Sequence, residues 1–261
     1  MNNNSFSLQA AFSVWQRNLL GYSKTWMFNI LTNFFEPVFY LVGMGLGVGF
    51  YIKEIAGVPY PIFITPGLIA IATMNGASFE ATYNVYVRMN YNRSYDAVLA
   101  TPVTESEIVF GEMLWASSRA WVYGVVFFLI TAAFGYVPSW ASLGLLFAII
   151  PSGYFFTMIG MAFTLWCPVI DIISGYFTLF LTPLFMLSDT FFPLQERLSG
   201  FWLYFAELTP LLHSVRLNRM FTSGHFSWII LWDLAYLIGG GIFFHWLSVK
   251  YFKKRIHKPA R

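Results

Sequence analysis

Long apolar runs separated by short polar islands set the pattern of this chain. A bilayer core of roughly 30 Å takes about 20 apolar residues as a helix. Six segments fit that length: Ile30–Tyr51, Ile62–Tyr86, Ile108–Val137, Leu143–Trp166, Val169–Leu187 and Trp228–Tyr251. The first contains Glu36-Pro37, and the apolar heart of the third begins at Trp121. Ahead of the first span, Leu8, Phe12, Trp15 and Leu19 recur at helical spacing, with Gln9, Gln16 and Arg17 off that face. This predicts an amphipathic helix over residues 1–28 lying on a membrane surface; a plain extension of the first span is the alternative.

Two islands depart from ordinary loop composition. In residues 87–107, Ser94 is placed to cap a short helix, Tyr95 to Ala100, with Tyr95, Val98 and Leu99 on one face. Thr101-Pro102 ends it, because the residue before proline avoids the helical region. Thr104 with Glu107 three residues on then reads as a capping box, and Glu105 and Glu107 suit the positive end of the new helix. Such a piece is either a spacer between two spans or a docking element for a partner. The second island, 188–227, is rich in aromatic residues and holds Pro193 and Pro210. It predicts one or two short re-entrant helices, since backbone at membrane depth must be buried in protein or line a wet cavity.

Composition narrows the class. Of the 261 residues, 57% are hydrophobic and 10% charged, against about 25% charged in soluble domains. The expectation is an all-α membrane protein of one domain, residues 1–261, with six transmembrane helices. Lys and Arg near the span ends set orientation. Arg17, Lys24, Arg88, Arg93, Lys250, Lys253, Lys254, Arg255, Lys258 and Arg261 fall on one side, and Lys53, Arg197, Arg216 and Arg219 on the other. This predicts both termini in the cytoplasm, with Arg119 snorkelling to the headgroups from the third span. The net charge of +3 is modest and gathers at the C-terminus, which suits membrane anchoring and not nucleic acid. Met1 to Gln9 lacks a basic stretch followed by an apolar core, so no cleaved signal peptide is expected.

Candidate chemistry is sparse. A lone cysteine, Cys167, forms no intrachain disulfide, and His213, His225, His245 and His257 have no helical metal spacing, so neither a metal nor a catalytic site is expected. Glu36, Glu80, Asp171 and Asp233 fall in or beside apolar runs. Each costs about 2.5–3.5 kcal/mol at the bilayer centre, so each should face the bundle or an interface. Glu80, Tyr83 and Asp233 are the candidates for a substrate path; the alternative is pairing near the headgroups. In Gly43–Gly49, spaced glycines suit close helix packing. No G-x-x-x-x-G-K-[ST] phosphate loop occurs.

Three stretches carry a resemblance. "YDAVLATPVTESEIVFGEML", Tyr95 to Leu114, resembles the first cytoplasmic loop of ABC-2 type transporter permeases. "FFPLQERLSGFWLYFAELTPLLHSVRLNRMFTSG", with its Pro210–Arg216 core, resembles their last external loop. "NFFEPVFYLVGMGLG" and "ASFEATYNVYVRM" are most similar to the nodulation protein J branch, which exports lipid-linked chitooligosaccharides. The chain departs from the pattern at Asp189, where glycine is expected, and at Gln195-Glu196-Arg197, which lacks the usual proline. The resemblance implies a six-span half-channel in the bacterial inner membrane that pairs with a second copy as a homodimer, amid membrane lipids. A separate ABC ATPase would bind ATP and Mg, leaving this chain non-catalytic and without a cofactor. The short helix would be the coupling helix, with Ser94, Tyr95, Asp96, Val98, Leu99 and Thr101 at the ATPase interface. An amphipathic cargo such as a lipid-linked saccharide, lipid or drug would leave the cytoplasm. A secondary transporter or a membrane-bound lipid- or glycan-modifying enzyme is the alternative; the first would want an internal repeat and the second a convergent acid–base cluster.

Overall fold

The computed structural model describes residues 6–24, 38–55, 57–194 and 200–256. Glu36-Pro37, Gln195-Glu196-Arg197 and the last five residues lie outside them. Helices carry the described chain, apart from a two-residue antiparallel ladder of β1 (Glu54–Ile55) with β2 (Val58–Pro59). In chain order the helices are α1 (Leu8–Tyr22), α2 (Val38–Tyr51), α3 (Tyr60–Tyr91), α4 (Ser94–Leu99) and α5 (Glu105–Ala133). They continue with α6 (Trp140–Trp166), α7 (Asp171–Met186), α8 (Phe201–Glu207), α9 (Pro210–Ser223) and α10 (Ile229–Ile256).

Four of these, α3, α5, α6 and α10, are long and apolar enough to cross a membrane. The expected fifth span, α7, opens on an exposed Asp171 and runs only 171–186, roughly 24 Å at 1.5 Å per residue. The described part of the expected first span, α2, is shorter still. The protein is an all-α membrane protein, with α3 at its centre. The most apolar window of α3 is 83% buried and that of α10 only 17%, so α3 packs on protein from all sides while α10 turns most of its surface outward. Small residues bring the central helices together: a Cβ on Gly124 of α5 would lie 2.5 Å from Thr73 Oγ1 of α3. Without an apolar driving force between helices in lipid, such close packing supplies the attraction.

Helix ends follow local chemistry. The Glu107 carboxylate accepts from the backbone N–H of Thr104 at 2.7 Å and from that of Ser7 at 2.6 Å. The predicted capping box is therefore present, and its glutamate also binds the residue that caps α1. Gly135, at φ 75°, ends α5 before the predicted Val137. The cap of α4 is not Ser94 but Arg93, held at φ 47°; Ser94 is the first helical residue. The reason is spatial: a left-handed residue is needed to turn the chain out of the last π-helical turn of α3, Val87–Tyr91.

Helix α1 divides its faces between the bundle and the surroundings. Its buried residues are Ala11, Val14 and Asn18, against α5, where a Cβ on Gly111 would meet Ala11 O at 2.5 Å. Leu8, Phe12 and Leu19, predicted to be the embedded stripe, are exposed on the protein surface. Ala11 and Val14 take the protein contact because Gly111, with no side chain, lets α1 lie close on α5. The large apolar stripe is left to the surroundings, as an interface helix requires.

Candidate functional site

At the end of the bundle that carries α4, five charged side chains form one chain of contacts. Arg17 Nη2 of α1 donates to Glu112 Oε1 of α5 at 2.9 Å, and Arg88 Nη2 of α3 donates to Glu112 Oε2 at 2.8 Å. The same Arg88 nitrogen reaches Glu80 Oε1 at 2.9 Å, and Arg119 Nη1 of α5 donates to Glu80 Oε2 at 2.7 Å. Glu80 and Glu112 are 1% and 2% exposed. Trp115 Nε1 and Asn84 Nδ2 complete the Glu80 carboxylate at 2.8 and 2.7 Å. Three guanidiniums thus surround two carboxylates, which is how buried charge survives in a low-dielectric setting. A π-helical turn, Glu80–Asn84, lies where this cluster forms; such turns concentrate at functional places in helices.

Arg119 therefore does not snorkel. It is 8% exposed, reaches Tyr123 Oη at 2.6 Å and sits over the Tyr22 ring at 4.4 Å. In the sequence, Arg17 and Arg88 count as orientation signals and Glu112 is not among the candidate residues. The available signal was local: Glu80, Asn84 and Arg88 recur every four residues, and Glu112 and Arg119 stand seven apart, each set on one helical face.

Above this cluster lies α4. Its Tyr95 is 1% exposed, edge-on to Phe252 of α10 at 5.5 Å, with Arg17 5.7 Å over its ring. Burial drives the Tyr95 phenol well above its ordinary range, helped by the nearby Glu112 carboxylate, so it stays neutral. Val98 and Leu99 are half-buried against the same apolar cluster and Ser94 is half-buried beside them in the chain, while Asp96, Ala97, Ala100 and Thr101 are exposed. The six residues expected at a partner interface divide accordingly: Tyr95 is the anchor, Asp96 and Thr101 point outward, and Ser94, Val98 and Leu99 lie between. A groove of about 510 Å³ separates α4 from α1, and its charged lining residues are Arg17 and Arg93.

A cleft of about 360 Å³ opens between α3, α5 and α7. Phe127, Phe177 and Phe185 give it an aromatic wall, with Asn75, Tyr123, Thr178 and Thr182 as polar points. None of the expected path residues lines it. Tyr83 is nearest, stacked on Phe177 at 5.9 Å. Glu80 is joined to it through Arg119 and Tyr123. Asp233 lies elsewhere, at the opposite end of α10 from Phe252, where it is 0% exposed and bound by His213 and Arg216 of α9. The Pro210–Arg216 stretch thus contributes two ligands to one buried carboxylate, a link that joins the short helices before α10 to α10 itself. Asp189, in the position expected to be glycine, has φ 59° and is held by Arg219 and by the Leu194 N–H at 2.6 Å.

Among the described residues no group of His, Cys, Asp and Glu has the arrangement of a metal site. The sequence matches the ABC-2 type transporter family over residues 9–220. It is 37% identical to nodulation protein J of Rhizobium leguminosarum bv. viciae, over 79% of this chain and 80% of that protein. Nodulation protein J of Neorhizobium galegae is 34% identical over 82% and 81%. The inner membrane transport permease YadH of Escherichia coli K12 is 23% identical over 78% of each chain. The apolar helices, the family match and these relatives agree: the chain belongs to the ABC-2 type transporter family and is a membrane transport permease.

Proposed function

We propose that this chain is the membrane half of an ATP-driven exporter, coupled to its ATPase through α4. The observation that carries this reading is that α4 is capped apart from the bundle yet locked to it. Tyr95 is sunk against Phe252, and beneath it the Arg17–Glu112–Arg88–Glu80–Arg119 cluster ties α1, α3 and α5 together. A push on exposed Asp96, Ala97 and Thr101 is transmitted to these helices as to one body. The ATPase subunit holds ATP and Mg and does the hydrolysis; this chain does none. The positive lining of the groove beside α4 suits an acidic partner surface.

The excess of Lys and Arg at the α4 end supports both termini lying in the cytoplasm, with α8 and α9 at the outer face of the bacterial inner membrane. The two shorter apolar helices, α2 and α7, bring the number of spans to six. No described residue lies within 4 Å of a Cβ built on Gly43 or Gly47, which suits a homodimer contact along α2. The cleft carries an amphipathic cargo: aromatic walls suit sugar faces and acyl chains, and Asn75, Thr178 and Thr182 supply hydrogen bonds. Among such cargoes, a lipid-linked saccharide is the one implied by the resemblance of Asn33–Gly47 and Ala77–Met89 to the nodulation protein J branch.

Affinity purification in mild detergent, with mass spectrometry of co-purifying chains, tests the reading. A stoichiometric ATPase bearing a G-x-x-x-x-G-K-[ST] loop is expected, and Ala97→Glu with Thr101→Glu, which set negative charge against the acidic partner, should release it. A clean permease with no ATPase partner across several detergents would overturn the reading.

A further inference from the structure

The His213 ring is fully buried between three helices, and both of its nitrogens face oxygen. Nδ1 lies 2.6 Å from Asp233 Oδ1 of α10, and Nε2 lies 2.9 Å from the backbone carbonyl of Glu207 in α8. A carboxylate and a carbonyl are acceptors only. A neutral imidazole has a single N–H and would leave a lone pair against one of them.

The remaining neighbour does not change this count. Arg216 Nη2 stands 3.1 Å from Nδ1 but has acceptors for both of its hydrogens, Asp233 Oδ1 at 2.5 Å and Glu207 Oε2 at 3.1 Å. Its Nε donates to Asp233 Oδ2 at 3.0 Å and its Nη1 to Glu207 Oε1 at 2.6 Å. The other face of the ring stacks on Tyr236 at 4.0 Å, and the Tyr236 hydroxyl donates to Leu208 O at 2.5 Å. The ionisable groups that face His213 are thus Asp233 and Tyr236 from α10, Arg216 from α9 and Glu207 from α8. One guanidinium against two carboxylates leaves a negative charge, and an imidazolium cancels it.

We propose that His213 is a proton-binding site that clasps α8 and α9 to α10. The ring holds a proton on each nitrogen, one bonded to Asp233 and one to the Glu207 carbonyl. With a single N–H the ring would set a lone pair against that carbonyl and lose its bond to α8. The site is independent of any ATPase partner, because all of its atoms belong to this chain.

Nitrogen-15 solid-state NMR tests the proton count directly. The full chain, labelled at histidine, carries His225→Gln, His245→Gln and His257→Gln, leaving His213 as the one histidine, in phosphatidylcholine–phosphatidylglycerol bilayers at pH 7. Two protonated ring nitrogens are expected; one bare nitrogen would overturn the proposal. Hydrogen exchange at pH 7 on the full chain, unaltered and carrying His213→Phe, tests the clasp. Protection of residues 210–223 should drop by about tenfold or more in the variant, the effect of losing a hydrogen bond to a charged group, while residues 145–166 keep theirs. Equal protection in both chains overturns the clasp even where two protons are found.

Discussion

The ring of Tyr95 stands edge-on to that of Phe252, with centroids 5.5 Å apart and planes at 69°. This contact joins the shortest helix before α5 to the last helix of the chain. Aromatic pairs of this geometry contribute about 0.5–1.5 kcal/mol beyond the area they bury. Tyr95→Ala removes both the pair and a fully buried side chain, so it should cost about 3–5 kcal/mol. Asp96→Lys, one residue on and exposed, should leave stability within about 0.5 kcal/mol. Thermal unfolding followed by fluorescence size-exclusion distinguishes them, and equal melting temperatures would refute the anchoring role of Tyr95.

The charge cluster makes a sharper prediction. Glu80→Gln leaves Arg119 and one side of Arg88 without a counter-charge in a buried setting, and should destabilise by about 3–5 kcal/mol. Adding Arg119→Met removes the stranded charge and should recover part of that loss. A double-mutant cycle in detergent measures the coupling; strict additivity of the two substitutions would mean that the pair does not interact.

Asp189 holds a left-handed backbone that disfavours any side chain by about 1–2 kcal/mol. It is retained through Arg219 and the Leu194 N–H. Asp189→Gly relieves the backbone and loses the partners; Asp189→Ala loses the partners and keeps the backbone cost. Melting temperatures should therefore fall in the order Asp, Gly, Ala. An alanine variant as stable as the glycine variant would show that backbone conformation is not the issue there.

Gly111 lets α1 lie on α5. A Cβ there would meet both Ala11 O at 2.5 Å and Val14 Cβ at 2.6 Å, so Gly111→Val must displace α1. The measurable result is faster maleimide labelling of a cysteine at Ala11, buried in the unaltered protein. Gly21→Val, where no described atom lies within 4 Å of the Cβ position, should leave that labelling unchanged.

Much of this was legible without coordinates. Residues 60–91, 105–133, 140–166 and 229–256 overlap the predicted spans, and the capping box of Thr104 and Glu107 is read directly from four consecutive residues. Departures arose where a partner outside the local window decided the outcome. Arg119 turns inward because Glu80, from another helix, is there to receive it.

By itself the sequence determined the membrane class, the all-α architecture, the separately capped α4 and the hairpin of short helices before α10. These depend on hydropathy, period and turn chemistry, which act over a few residues to one span length. Only the tertiary structure decided which charges meet: Arg17 with Glu112, Arg119 with Glu80, and His213 and Arg216 with Asp233. A buried charge is costly until it is paired, and its partner comes from whichever helix packs beside it. That choice is a property of helix packing, and no local pattern encodes it.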